Sequence, residues 1–225
     1  MDGSFEADRR EIAERGSLAA ALNAELDQEQ PVRFTGPPAP RAEFSALIGD
    51  DRSTANVDLA VDRYVVRFNR QGLEWAAGST ADRRSVVAAT TAWLSGAGLE
   101  QLAREWPFVE FSELQLAYER GDALETQWRI VRRDASPLLR EVVELAWAAP
   151  TVRRFFPLSG HNLLFTAGEH SSAVLASVMF VGPGTYRLYA GRREPEVEAA
   201  AAQVIARLAE LLETKEPEPC PSQDA

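Results

Sequence analysis

Between Trp75 and Phe111 the spacing of apolar residues changes twice, so a chain with this stretch must fold a strand against two helices joined at a glycine corner. WAAGST reads as the end of a strand. Ser79-Thr80-Ala81-Asp82 then has the polar-then-acidic order of a helix start, where side-chain oxygens accept from the first, otherwise unpaired N–H groups. Over ADRRSVVAATTAWL, Val86, Val87, Thr90, Trp93 and Leu94 fall on one face at three-and-four spacing. Gly96 and Gly98 end that helix, since glycine enters the left-handed cap without steric cost. A second, shorter stripe follows in Leu99, Leu102, Ala103 and Trp106, and Pro107 stops it.

Composition bounds what such a core can belong to. At 225 residues and 45% hydrophobic, the chain has enough apolar surface for a sizeable core. No apolar run approaches the roughly 20 residues that span a bilayer. MDGSFEADRREIAERG is charged and lacks an apolar centre, unlike a secretory signal, so cytoplasmic residence is the expectation. A net charge of −10 argues against nucleic acid and anionic membrane as partners. The single cysteine, Cys220, excludes an intrachain disulfide framework, and its Pro/Glu-rich tail reads as solvent-exposed.

Along the chain, residues 1–16 read as disordered or a frayed helix, and Leu18, Leu22 and Leu26 mark a helix after Ser17. Val32 to Phe34 reads as an edge strand, and TGPPAP as a stiff connector. Arg41 to Ala55 is ambiguous, with a short helix around Phe44 to Ile48. Asn56 to Ala60 is a short strand. Tyr64, Val66 and Phe68 alternate, Gln71-Gly72 makes a turn, and Leu73, Trp75 and Ala77 repeat the alternation. Later helices show stripes at Ala123, Leu124, Gln127, Trp128 and Val131, and at Leu138, Leu139, Val142, Val143 and Ala146, the latter opened by Ser136-Pro137.

Strands are predicted at 162–166, 174–181 and 185–190, with Gly182-Pro183-Gly184 as a turn. Pro195 sits where a closing helix would begin, and that helix carries Val197, Ala201, Val204, Ile205, Leu208 and Leu212. Residues 65–94 and 178–208 share an order of strand, turn, strand and helix. The expected fold is therefore α+β, with antiparallel β-hairpins packed against helices and two ββα units flanking a helical middle from about 82 to 156. A single domain is expected over 17–213, with a disordered acidic, Pro-rich tail over 214–225.

Few residues suggest chemistry. His161 and His170, with Glu169, are the material for a metal site, but nine residues of strand at about 3.3 Å each would hold the imidazoles apart. Ser159, Ser171 and Ser172 lie near them without a nucleophile elbow. The glycine pairs at 96/98 and 182/184 stand in turn contexts rather than before a phosphate-binding helix. No cofactor or metal is implied. Arg129, Arg132, Arg133, Arg140, Arg153 and Arg154 cluster in an acidic chain; they read as a solvated face balanced by Glu125, Asp134, Glu141 and Glu144, or as a pocket for a carboxylate or phosphate.

Several strings together, GSLAAAL, AAGSTADRRSVVAATTAWLSGAGLEQLAREWPF, PTVRRFFPLSGHNLLF and GTYRLYAG, resemble an uncharacterised actinobacterial family of natural-product biosynthesis proteins, a domain of unknown function. The resemblance covers roughly residues 17–213. It implies a cytoplasmic protein encoded near specialised-metabolite genes and supplies no reaction or catalytic residue.

The expected role is a non-catalytic accessory or binding protein of specialised metabolism, holding a small molecule or protein partner. Its site is sought where the 153–161 turn meets the Trp106–Phe108 corner, with Arg153, Arg154, His161 and Trp106 as ligand-binding residues. The alternatives are an enzyme using His161 as acid or base, and a subunit of a larger biosynthetic complex.

Overall fold

The computed structural model describes residues 3–37, 41–168, 173–191 and 195–217. Glu169, His170, Ser171, Ser172 and Cys220 lie outside them, as do the last residues of the proline connector and the tail from 218. The fold is α+β, built on two antiparallel five-stranded sheets. The chain divides into two compact units, Met1–Leu116 and Ala117–Ala225, so the stretch read as one domain contains both.

The first unit opens with α1 (Gly3–Arg15) and α2 (Leu18–Asn23). Ser17 caps α2 by accepting from the Ala20 N–H at 3.1 Å. Phe5 and Ile12 of α1 are buried. A 3-10 turn (Arg41–Glu43) leads into a meander of β1 (Ser45–Gly49), β2 (Ser53–Leu59), β3 (Tyr64–Arg70) and β4 (Leu73–Thr80). Helices α3 (Arg83–Leu94) and α4 (Leu99–Glu105) follow, then β5 (Val109–Glu110), which pairs with β4. Helix α5 (Glu113–Arg120) carries the boundary between the units.

Several expectations are corrected here. The segment around Phe44 to Ile48 is strand, not helix: β1 pairs with β2, and Ala46 and Ile48 are buried while Leu47 is exposed. Val32 to Phe34 forms no strand; its neighbour Thr35 makes one isolated bridge to Leu47. The helical middle is interrupted by β5. Alternation also fails in β4, where the register slips between Phe68 and Asn69 and leaves Trp75 as an extra residue. That bulge lets Trp75 and Ala76 both be buried, though adjacent in sequence. Gln71 and Gly72 both take positive φ, 53° and 79°, as the tight turn between twisted strands requires.

The second unit begins with α6 (Ala123–Asp134), α7 (Arg140–Ala148) and α8 (Pro150–Arg153). Ser136-Pro137 opens a turn rather than the helix itself, the Ser136 carbonyl accepting from the N–H groups of Leu139 and Arg140. A second meander follows: β6 (Phe156–Ser159), β7 (Asn162–Thr166), β8 (Val174–Gly182), β9 (Thr185–Ala190) and β10 (Pro195–Ala199), closed by α9 (Ala201–Glu213). Pro195 therefore starts an edge strand and not the helix, and Val197 faces inward from β10. The strand–strand–helix orders β3-β4-α3 and β8-β9-α9 both form, with β10 inserted in the second. Trp128, Val143, Phe155, Phe165, Leu188 and Leu208 are buried in its core.

Candidate functional site

The site with most chemical character lies in the second unit, where α6 meets the corner between α7 and α8. Pro150 ends the run of α7 and occupies the first turn of α8, turning the chain so that Arg153 folds back over Trp147. The Arg153 guanidinium stands 3.5 Å from the centre of the indole ring, and Arg132 approaches the same ring at 5.1 Å. Trp147 in turn leans on the buried Trp128 at 5.7 Å. The backbone beneath is fixed to α6: Trp128 Nε1 donates to the Arg153 carbonyl at 2.8 Å, and Gln127 Nε2 to the Pro157 carbonyl at 2.7 Å.

An open groove of about 610 Å³ runs beside this stack. Leu124, Ala148, Pro150 and Trp147 give it apolar walls; Asp122, Glu125, Arg153 and Arg154 give it charge. Arg153 donates to Glu125 at 2.8 Å, and both side chains are substantially exposed, 45% and 62%. A pair so open to water contributes at most about 1 kcal/mol, so Glu125 can be exchanged for another acceptor at small cost. The Arg132 pair with Glu144 is a fork of three bonds at 2.7 to 3.1 Å. Its hydrogen bonds and charge hold the Glu144 carboxyl below its ordinary value.

Two of the four residues expected to form one site, Arg153 and Arg154, line this groove. The Arg154 guanidinium, however, donates to the carbonyls of Leu212, Glu213 and Lys215 at 3.1 to 3.2 Å, capping the C-terminus of α9. His161 is on the exposed turn between β6 and β7 and does not line the groove. Trp106, half-buried after α4, belongs to the first unit. Phe108 borders a different groove of about 670 Å³ in that unit, along β3 and β4. Glu125 and Glu144 balance neighbouring arginines, as the sequence suggests, whereas Trp147 is not among the residues that it singles out. The signal for its role was the proline three residues on, which returns the following arginine to the ring.

A second charged cluster lies in the first unit. Arg83, 11% exposed, donates to Glu11 and Glu25 at 2.8 Å each and stands 3.9 Å from Asp8. Tyr64 donates its hydroxyl to Asp8 at 2.9 Å. Bonds from Arg83 and then Arg15 hold the Glu11 carboxyl below its ordinary range, while burial and then Asp8 push the Tyr64 phenol up. Arg83 answers its surrounding acids, and the cluster ties α1 and the segment just after α2 to the start of α3.

Among the described residues, no three His, Cys, Asp or Glu side chains form an arrangement for a metal ion. Nor, among them, is any helix long and apolar enough to cross a membrane. No family model, curated protein or solved structure matches the chain.

Proposed function

We propose that this chain is a non-catalytic binding protein whose second unit holds an anionic ligand in the groove between α6 and the α7–α8 corner. The observation that carries the reading is Arg153, stacked on Trp147 and paired with the exposed Glu125. Stacking fixes the plane of the guanidinium before a ligand arrives, which reduces the ordering cost of a two-pronged bond to carboxylate. The weak pair with Glu125 leaves that bond available. In the setting implied by the resemblance described above, such a protein serves specialised metabolism as an accessory that retains or presents a small molecule.

Thermal unfolding against a panel of small carboxylates tests the reading. A ligand present at a hundred times its Kd adds about 2.7 kcal/mol to stability, a readily measured rise in Tm. Arg153→Ala is expected to abolish that rise for every carboxylate while the variant keeps the far-UV spectrum of the parent. An undiminished rise in Arg153→Ala would remove the groove from consideration.

A further inference from the structure

We propose that the ligand of this groove is an apolar α-amino acid, free at both ends, which inserts between Arg153 and Glu125. The inference rests on the binding reading above and deepens it. Its starting point is the groove's balance of charge. Arg154 is committed to the end of α9, so Arg153 is the guanidinium left to meet a ligand. Two carboxylates, Glu125 and Asp122, also line the groove, and Glu125 is paired with Arg153.

A simple monoanion would take Arg153 from Glu125 and then lie beside a carboxylate that had just lost its partner. Like charges side by side repel, which subtracts from the gain at Arg153. A ligand carrying an ammonium next to its carboxylate removes the conflict. Its carboxylate meets Arg153, its ammonium meets the freed Glu125, and one exposed ion pair becomes two in series. The apolar residues decide the rest of the molecule. Two guanidiniums, those of Arg153 and Arg132, already lie over the Trp147 ring. The ligand's side chain therefore lies against Leu124, Ala148 and Pro150, where an aliphatic or aromatic group removes apolar surface from water. The groove volume, about 610 Å³, falls within the ordinary range for small-molecule sites.

Calorimetric titration of the full chain with phenylalanine, leucine, 3-phenylpropanoate and phenethylamine tests this. Phenylalanine or leucine is expected to bind, with 3-phenylpropanoate and phenethylamine each weaker than phenylalanine by roughly tenfold or more. Glu125→Gln, an isosteric change at an exposed position, is expected to bring phenylalanine down to the affinity of 3-phenylpropanoate and to leave the latter unweakened. Equal affinity of the wild-type protein for phenylalanine and 3-phenylpropanoate, with Arg153→Ala binding neither, would overturn the amino-acid assignment and leave the anion site standing. Binding unaffected by Arg153→Ala, or no binding by any of the four probes, would overturn both.

Discussion

Arg153 and Arg154 are adjacent in sequence and do different work. The first lies flat on Trp147 at a groove, and the second closes the open carbonyls of α9. Arg154→Ala should therefore cost about 1 kcal/mol of stability, the order of a partly exposed charged hydrogen bond, yet leave carboxylate binding unchanged. Denaturant unfolding and the titrations above read the two effects separately. A basic pair was legible in the sequence, but the division of labour was not, because the carbonyls that hold Arg154 lie some sixty residues further on. Gly78 shows a similar limit. A Cβ built there would stand 2.1 Å from the Phe108 carbonyl oxygen. Gly78→Ala is expected to destabilise by about 1–3 kcal/mol as the loop after α4 is pushed away, measurable as a lower denaturant midpoint with unchanged slope.

At the scale of elements, α1 is held by few apolar residues and by the charges around Arg83. Removing that one partner from three acids should cost about 3 kcal/mol, the low end for a buried pair broken on one side. Hydrogen exchange in Arg83→Ala should rise first over residues 3–15. The pH dependence has a definite sign. Because the folded Glu11 carboxyl sits below its ordinary 4.5, its contribution is complete above that pH and is lost as pH falls through the lowered value. Tyr64 acts in the opposite sense: its raised phenol contributes fully below the ordinary 10.0 and loses that contribution as pH climbs through the folded value. Exchange over α1 is thus expected to accelerate in acid before the strands of the first sheet do; acceleration in step would assign the acid sensitivity elsewhere.

The elements that were legible are those whose local and long-range preferences agree. The turn residues at 71–72, the flanking alternation and the cap at Asp82 all point to β3-β4-α3, and the structure has that unit. Two short segments were misread for one reason. Phe44 and Ile48 stand four apart, which suits a helix, and Pro195 suits a first helical turn; neither segment is long enough for periodicity to decide. Pairing decides instead. β1 finds its register on β2, and PEVEA alternates on the edge of β9, where the missing N–H of Pro195 costs no bond to a further strand.

For the whole molecule, each unit contains a meander with its own buried tryptophan, Trp93 in the first and Trp128 in the second. The division was invisible in the sequence because it falls inside α5, where no proline, glycine or charge run marks a linker. Energetically, a unit with its own core opens as its own cooperative block. Trp128→Ala removes a fully buried indole, its bond to the Arg153 carbonyl and its contact with Trp147. A cost of about 3–5 kcal/mol follows from the lost volume alone. Amide exchange over residues 123–213 is therefore expected to quicken by that free energy, while β2, β3 and β4 retain their protection. Carboxylate affinity should fall in the same variant, since the ring that orients Arg153 loses its support. Matching acceleration in β2–β4 would mean that the two cores open together, and stability would then have to be assigned to the chain as one block despite its two sheets.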